Sequence, residues 1–240
     1  MSRDPLLFTL VLVAFATSVI TAAPITQTHY RPFVESDVGL TPSGQLNHES
    51  LELMETPRCG NRPTRHDRNK RFVPHKTKWQ HNRLTWQLLD PYDLLGTHEK
   101  FIVRTALHRA FDDWSAASRK HIIFVEQNDE NKDQRLDVKI FFAKGEHNDS
   151  LPFDGTAGIV AHGFYPQNGN LHFDADEQWT LNMDQGINFY QVALHEIGHL
   201  LGLEHSTNKN AVMYPIDRPY DPFFKLSDDD INGIKHIYAP

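Results

Sequence analysis

The sequence predicts an α+β fold for the region that begins near residue 72. Three runs rich in β-branched and aromatic residues, at 84–89, 121–126 and 136–142, have the length and composition of strands. Helical patterns at 100–114, 187–205 and 227–238 lie among and after these runs without alternating regularly with them. Such mixing of strands and helices is typical of an α+β domain.

The helices are predicted from the spacing of apolar residues and from end signals. Between residues 100 and 114, one helical stripe is formed by Ile102, Val103, Ala106, Ala110, Phe111 and Trp114. The second helix is apolar over most of its length and should stop at Gly202. In the third, Ser227 is placed as the N-cap, with Asp230 three residues later and acidic residues in the first turn.

The other segments carry little apolar periodicity. Residues 145–177 are dense in glycine, histidine and aspartate, and we predict a loop region that needs something other than a core to order it. Residues 24–56 are polar, apart from HESLELMET at 48–56, whose Leu51 and Met54 suit one face of a short helix. The clearest change of composition falls between Arg71 and Phe72 and predicts a boundary there.

The N-terminus has the pattern of a signal peptide. An almost wholly apolar run from residue 6 to residue 20 is followed by small residues up to Ala23, so we predict a secretory leader over residues 1–23. The run is shorter than the ~20 residues that a membrane span needs. An uncleaved anchor is the alternative, because Asp4 offsets Arg3 in a weakly basic leader. We therefore expect a protein of the extracellular space or matrix, without a membrane span.

Length and charge limit the possible functions. The hydrophobic content of 39% supports one packed domain with a smaller attached segment, and we expect a monomer. After residue 71, 16 basic residues stand against 24 acidic ones, which gives a formal net charge of −8. This balance argues against a nucleic-acid partner.

The run HEIGHLLGLEH, residues 195–205, has the pattern of a metal-binding helix. His195 and His199 are four residues apart, so both imidazoles leave the same helix face and can bind one metal ion. His205 supplies a third ligand if the backbone turns out of the helix at Gly202. Glu196 lies beside these histidines, in a position to take a proton from a water molecule at an open zinc site.

An isolated H-E-x-x-H also occurs as a pair of histidines on a buried helix. The extended H-E-x-x-H-x-x-G-x-x-H pattern, with Met213 eight residues after His205, is far more specific. Similar motifs are PRCG at 57–60, LPFDGTAGIVAHGFYP at 151–166, HFDADEQWT at 172–180, AVMYP at 211–215 and LSDDDINGIKHIY at 226–238. Over about residues 39–240, the chain resembles the matrix metalloproteinases of the metzincin clan, in particular the minimal, matrilysin-like forms without a hemopexin domain.

The resemblance implies a metzincin zinc-protease fold, with a twisted mixed five-stranded sheet, three helices and Met213 in a turn beneath the metal. It also implies two zinc ions, one catalytic and one structural, and at least one calcium ion. The ligands matched to the structural zinc are His147, Asp149, His162 and His172. On spacing alone, each of these is as readily a surface residue. Asn148, in the glycosylation triplet NDS, lies between two of them, and we expect it to be unmodified.

Calcium is expected where oxygen ligands match the family pattern. One such site is matched by Asp154, Asp174 and Glu177, and by the carbonyls of Gly155, Ala157 and Ile159. A second site is only weakly matched, because Asn170 stands where the family has a carboxylate and Asp137 is the main candidate ligand.

Cys59 is the single cysteine of the chain. In an oxidising compartment it cannot form an internal disulfide, so it is a bystander, an intermolecular partner or a metal ligand. PRCG resembles the family's cysteine switch, which implies that Cys59 takes the fourth position on the catalytic zinc in a zymogen. The usual continuation is V-P-D, whereas Asn61, Arg62 and Pro63 follow here. Arg58 thus lacks its expected aspartate partner, and we expect weaker latency.

RNKR at 68–71 fits an R-x-K-R proprotein-convertase site, with a solvated linker as the alternative. Cleavage after Arg71 would remove residues 24–71 as a short propeptide and leave a catalytic domain at 72–240. In the family, the ammonium of an N-terminal aromatic residue, here Phe72, pairs with an acid of the last helix, and Asp229 is at the matching position. The propeptide is too short for the family's complete prodomain bundle.

These features predict a secreted zinc endopeptidase that hydrolyses extracellular matrix or other secreted proteins. The resemblance implies that the carbonyl region of Ala161 aligns the peptide, that Gln191 lines the main specificity pocket, and that the loop after Pro215 forms its far wall. Gln191 is alternatively an ordinary polar helix position. A tissue inhibitor of metalloproteinases is an implied partner, besides the protein substrates and the proprotein convertase.

Two other readings are less favoured. A catalytically silent, zinc-stabilised binding protein would have no need for Glu196 beside the metal. The astacins share the zinc motif, but a single cysteine cannot form their disulfides. No hemopexin-like repeat follows residue 240 in the sequence, so we do not expect a collagenase.

Overall fold

The computed structural model of the chain describes residues 48–61, 72–127 and 135–238. The predicted signal peptide lies outside the described residues, as do residues 24–47 and 62–71 of the predicted propeptide, which include the RNKR site with Arg71. Among the helices of the described ranges, none combines the length and the hydropathy that a membrane crossing requires.

The described ranges contain four α-helices and eight strands. The helices are α1 (His48–Glu55), α2 (Thr97–Ala117), α3 (Phe189–Leu200) and α4 (Asp228–Tyr238). The strands are β1 (Arg58–Cys59), β2 (Arg83–Leu88), β3 (Ile123–Glu126), β4 (Val138–Ala143), β5 (Ile159–Gly163), β6 (Asn170–Asp174), β7 (Trp179–Thr180) and β8 (Ile187–Asn188). Every helix and strand predicted from the sequence is therefore confirmed, with shifted ends.

Six strands form one mixed sheet in the order β1-β5-β6-β4-β2-β3, and β7 pairs with β8 separately. β5 runs antiparallel to β6, whereas the other neighbours in the sheet are parallel. Strands β2 to β6 correspond to the five expected strands. The sixth strand, β1, was not expected; it contains Cys59 and pairs with β5, which would be the edge strand of the sheet without β1.

The prediction that residues 145–177 form a loop region was wrong for two segments, because β5 and β6 lie within it. Both strands carry a histidine that is almost completely buried, His162 at 0% and His172 at 3% exposure. A buried polar side chain interrupts the apolar alternation by which a strand is recognised. The buried histidines His162 and His172 are therefore the reason why β5 and β6 were not predicted as strands.

The hydrophobic core lies between the sheet and helices α2 and α3. Trp114 of α2 is fully buried, and its Nε1 donates a hydrogen bond of 2.8 Å to the carbonyl of Leu194 in α3. Phe189 of α3 packs against Phe173 of β6, with ring centroids 4.7 Å apart. These contacts hold α3, which carries the H-E-x-x-H motif, against α2 on one side and against the sheet on the other.

The ends of α3 and α4 follow from side-chain caps and from one glycine. Asn188 Oδ1 accepts from the backbone N–H of Gln191 at 3.1 Å and caps the start of α3. The helix ends at Leu200, and Gly202 follows with φ of 93°, a conformation that favours glycine. In α4, the backbone N–H of Ser227 donates to Asp230 Oδ2 at 2.8 Å, which confirms the predicted capping pair.

Candidate active site

Helix α3 and the turn that follows it bring three histidines together. His195 and His199 leave one face of the helix with their Nε2 atoms 3.1 Å apart, and His205 Nε2 lies 3.2 Å from that of His199. Cys59 Sγ approaches His199 Nε2 to 3.4 Å. The four potential ligand atoms lie within 4.8 Å of one another, so the structure brings together all the predicted ligands of the catalytic zinc.

The protonation states of His195 and His199 follow from the contacts of their Nδ1 atoms. His195 Nδ1 lies 2.7 Å from the carbonyl of Val212, and His199 Nδ1 lies 2.7 Å from that of Leu203. A carbonyl only accepts, so each Nδ1 carries the proton and each Nε2 presents a lone pair. Burial lowers the pKa of His195 to about 4 and the pKa of His199 and His205 well below the ordinary value.

The histidine cluster fits a zinc ion. Lone pairs of neutral imidazoles separated by 3.1 and 3.2 Å repel one another unless a cation lies between them. Imidazole nitrogen and thiolate sulfur are the ligand types that zinc prefers, in tetrahedral sets of four. Three histidines with a replaceable fourth ligand also match the pattern of catalytic zinc sites.

Glu196 is fully buried beside this cluster. Among the described residues, neither of its carboxylate oxygens has a hydrogen-bond partner. Burial raises the pKa of Glu196 to about 8. A Cβ placed on Gly163, at the end of β5, would lie 3.3 Å from Glu196 Oε2, so the carboxyl group faces the edge of the sheet. A perturbed, unpartnered carboxyl at this place can accept and return a proton.

Met213 packs directly against α3. A Cβ on Gly198 would collide with Met213 Sδ, which shows how closely the turn approaches the helix. Asp230 of α4 holds this turn, because its carboxylate accepts from the backbone N–H of Val212 at 2.9 Å and of Met213 at 3.1 Å. Asp230 was predicted only as part of a helix cap. The position of Asp230 in the sequence did not indicate that its carboxylate also binds the turn at Val212 and Met213.

The segment around Cys59 lies in the cleft between β5 and the chain that follows Met213. The N–H of Gly60 donates to the Ala161 carbonyl at 2.8 Å, and the N–H of Cys59 donates to the Pro215 carbonyl at 3.0 Å. The carbonyls of Ala161 and Pro215 therefore accept hydrogen bonds from the segment around Cys59. The family resemblance implied contacts with a substrate peptide at the same two residues.

Arg58 has partners other than the aspartate of the family motif. Its Nη2 lies 3.9 Å from Asp154 Oδ2, and its Nη1 donates to the carbonyls of Met54 at 2.7 Å and Thr56 at 3.2 Å. Met54 and Thr56 are close to Arg58 in the sequence, whereas Asp154 lies in the loop before β5, and sequence neighbourhood could not indicate that partner.

Gln191 joins α3 to the loop that follows Ile216. Its side chain is buried, and Nε2 donates to the carbonyls of Arg218 at 3.2 Å and Pro219 at 3.3 Å. Its Oε1 accepts from the N–H of Asp221 at 2.7 Å. Gln191 is thus not an ordinary exposed helix position. A cavity of about 20 Å³ lies beside it, lined among others by Val192, His195, Val212, Pro215 and Phe224.

The second predicted zinc cluster is also assembled. One potential ligand atom from each of four residues lies within 4.8 Å of the others, and the residues are His147, Asp149, His162 and His172. Asp149 Oδ2 lies 2.9 Å from His162 Nε2 and 2.8 Å from His172 Nδ1. Burial lowers the pKa of His162 and lowers that of His172 to about 3, so both rings are neutral at pH 7. A closed set of four ligands fits a structural zinc ion.

The predicted calcium loop contains buried carboxyl groups. Asp174 Oδ2 and Glu177 Oε1 are buried without a hydrogen-bond partner in the described part of the chain. Burial raises the pKa of each group to about 7, and the neighbouring acids Asp154 and Asp176 add to the effect. Ala157 has φ of 70°, so this loop is shaped by backbone conformations that are rare for non-glycine residues. These orphaned oxygens fit a hard cation.

Two further predicted pairs have other contacts in the structure. Both oxygens of Asp137 are used within the protein, by Thr85 N at 2.8 Å and by His81 Nε2 at 3.1 Å, and Asn170 begins β6. Asp229 is buried and accepts from Ser206 Oγ at 2.7 Å. Phe72 lies against α4, where a Cβ on Gly233 would come within 3.1 Å of it.

Comparison with known proteins agrees with this site. The profile of the matrixin family matches residues 78–239. Matrix metalloproteinase-16 of Homo sapiens is 38% identical over 216 residues, which cover 84% of this chain and 35% of that protein. Metalloendoproteinase 1-MMP of Arabidopsis thaliana is 37% identical over 223 residues, which cover 86% of this chain and 59% of that protein.

A third relative, the hatching enzyme of Paracentrotus lividus, is 37% identical over 206 residues, which cover 84% of this chain and 32% of that protein. The chain therefore spans between 32% and 59% of the length of these relatives. The family match includes more than half of the chain and all three histidines of the helix motif. The chain therefore belongs to the matrixin family.

Proposed function

We propose that the protein is a zinc-dependent endopeptidase that hydrolyses peptide bonds of extracellular matrix or other secreted proteins. One observation carries the proposal: three neutral histidines converge on one point, next to a buried carboxyl group without a partner, in a cleft along a sheet edge. A binding protein would have no use for a buried Glu196, whose desolvation costs free energy of folding.

His195, His199 and His205 would hold the zinc ion through their Nε2 atoms. Zinc bound there would supply Lewis-acid polarisation of the scissile carbonyl and would acidify a water molecule. Glu196 takes the proton of the attacking water and later returns it to the leaving amine. The Ala161 carbonyl aligns the peptide along β5, and Gln191 holds the wall of the pocket that receives a substrate side chain.

The proposal includes a zymogen. Residues 1–23 would direct secretion, and residues 24–71 would remain until a proprotein convertase cuts after Arg71. Until then, Cys59 would occupy the fourth zinc position, which is supported by its distance of 3.4 Å from His199 Nε2. A tissue inhibitor of metalloproteinases would compete for the same cleft. The newly formed ammonium of Phe72 would then pair with Asp229.

The direct test is cleavage of a quenched fluorescent metalloproteinase substrate by the full chain, before and after treatment with a proprotein convertase. We expect hydrolysis only after treatment, and loss of hydrolysis on zinc chelation with recovery on zinc addition. A folded, zinc-loaded and correctly cut chain that hydrolyses no peptide would contradict the proposed function.

A second zinc ion is proposed at the cluster of His147, Asp149, His162 and His172. We expect two zinc ions per wild-type chain by elemental analysis, and one in His162→Ala. The variant should also melt at a lower temperature, because the bound ion orders the loop around Asp149. His98→Ala, which changes an exposed histidine of α2, serves as the control and should retain both ions. Two ions in the His162→Ala variant would refute the site.

A calcium ion is proposed at the loop that contains Asp154, Asp174 and Glu177, with carbonyl ligands from Gly155, Ala157 and Ile159. Because the pKa values of Asp174 and Glu177 are raised from their ordinary values of 3.8 and 4.5 to about 7 in the folded state, calcium-free protein should lose stability as the pH rises from about 4 to about 7. Bound calcium favours the ionised carboxylates and should oppose this loss.

The increase of the melting temperature on addition of calcium should therefore grow between about pH 5.5 and about pH 8. Thermal unfolding followed by circular dichroism would measure it, with magnesium as the comparison ion. Asp174→Asn should abolish most of the increase. An increase that is independent of pH, or equal for the two ions, would argue against this calcium site.

A further inference from the structure

Asn61 follows the PRCG motif and lies buried in the cleft, with 8% exposure. Its side-chain Nδ2 donates to the Gly163 carbonyl at 2.6 Å. Its backbone N–H donates to Cys59 Sγ at 3.3 Å. One residue therefore contacts both the sulfur that approaches His199 and the end of strand β5.

Tyr165 lies beside the Asn61 side chain and forms the other side of this position. The Tyr165 ring stacks on His75, with centroids 3.9 Å apart and planes 3° from parallel. It also meets the His199 ring edge-on at 5.5 Å. These two contacts fix the ring, so the hydroxyl has a defined place in the cleft wall.

The two wall groups have different hydrogen-bonding capacities. The Gly163 carbonyl only accepts, whereas the hydroxyl of a tyrosine can both donate and accept. A carboxamide offers an N–H₂ donor and a carbonyl acceptor within one planar group. A carboxylate has no donor for Gly163, and an alkyl side chain leaves both groups unsatisfied.

We propose that the Gly163 carbonyl and the Tyr165 hydroxyl form a carboxamide subsite of the cleft, which Asn61 fills in the uncleaved chain and thereby holds Cys59 against the histidine cluster. This proposal rests on the proposed zymogen function and names the contact that maintains it. Asn61 is a positioning residue that acts through Cys59. The weaker latency expected from the missing V-P-D continuation is then offset by a contact with the cleft wall.

The single cysteine makes the proposal directly measurable, because any thiol modification reports on Cys59 alone. The experiment is the rate of alkylation by iodoacetamide of the zinc-loaded uncleaved chain, with Arg71→Ala present throughout to prevent activation. We expect Asn61→Ala and Asn61→Asp to react about tenfold faster, the effect of losing one buried hydrogen bond. Tyr165→Phe, which removes only the hydroxyl, should also react faster.

Asn182→Ala is the matched control, because Asn182 is exposed in the turn between β7 and β8. It should react at the rate of the unsubstituted chain. Melting temperatures of all variants would separate local release of Cys59 from loss of the fold. Asn61→Asp preserves the size of the side chain, so its faster reaction would reflect the lost donor.

Equal alkylation rates in the Asn61 variants, the control and the unsubstituted chain would overturn the proposal. So would a Cys59 that reacts in the zinc-loaded chain as fast as after chelation. These results are separable from the proposed enzymatic function. If the protection of Cys59 depends on Asn61 but the activated chain hydrolyses no peptide, the proposed subsite is supported and the proposed peptidase function is contradicted. Hydrolysis after activation without such dependence would refute the subsite alone.

Discussion

Replacement of Glu196 by glutamine is expected to reduce peptide hydrolysis by the activated chain by at least about 10²–10⁴-fold, the usual contribution of a general base. Zinc content should remain at the wild-type level, since Glu196 is not among the clustered ligand atoms. The amide has nearly the size of the carboxyl group but cannot accept the proton of water at neutral pH.

The measurement is kcat/KM for a quenched peptide, together with zinc content and melting temperature. The folded Glu196→Gln variant should melt at or above the wild-type temperature at pH 7, because the amide is neutral in both states, whereas burial of Glu196 requires uptake of a proton. Glu99→Gln, at the start of α2 and far along the chain from the motif, is the control and should keep full activity. Wild-type kcat/KM in Glu196→Gln would remove Glu196 from the mechanism.

The catalytic cluster could be predicted because its residues are close in sequence. The geometry of a helix places His195 and His199 one turn apart, and Gly202 marks the place where the chain must turn. The structure has α3 ending at Leu200 and His205 reaching the same point as the two helical histidines. Here local spacing alone determines most of the site.

The strands β5 and β6 were harder to predict, because buried histidines occupy positions where a strand usually shows apolar residues. His162 and His172 face each other across the two strands in register, and each is buried. Their stabilisation comes from the cluster around Asp149 and from the metal ion proposed there. A pattern based on hydrophobicity does not detect that source of order.

Contacts between distant parts of the chain were not predictable from local sequence patterns, and the approach of Cys59 to the histidine cluster was expected only from the family resemblance. β1 joins the sheet as a sixth strand because the segment around Cys59 pairs with β5 on one side and contacts Pro215 on the other. The role of Asn61 depends on the same arrangement. No local pattern indicates which side chains meet across a cleft, so these residues emerge only from the structure.

Asp230 provides the second large expected effect, because one buried carboxylate accepts four hydrogen bonds. The donors are the backbone N–H groups of Val212, Met213 and Ser227 and the hydroxyl of Ser227, at 2.9, 3.1, 2.8 and 2.7 Å. Val212 also provides the carbonyl that accepts from His195 Nδ1. Asp230 thus connects the cap of α4 to the turn beneath the histidine cluster and, through that turn, to His195, a proposed zinc ligand.

Asp230→Ala should lower the free energy of unfolding by about 3 kcal/mol or more, since each buried donor left unsatisfied costs about 1–3 kcal/mol. Zinc affinity should fall about tenfold or more, as expected when the support of a ligand imidazole is weakened. Urea unfolding of the zinc-loaded chain and competition with a chromogenic chelator would measure the two effects.

Asp228→Ala separates this role from a general effect of acidic residues at the start of α4. Asp228 is exposed in the same turn, so its loss should cost less than about 1 kcal/mol through the helix dipole and should leave zinc affinity unchanged. If Asp230→Ala is so unstable that it does not fold, Asp230→Asn retains one acceptor oxygen and should give intermediate losses of both quantities. Equal stability and zinc affinity in the Asp228 and Asp230 variants would show that the turn beneath the histidines holds its position without Asp230.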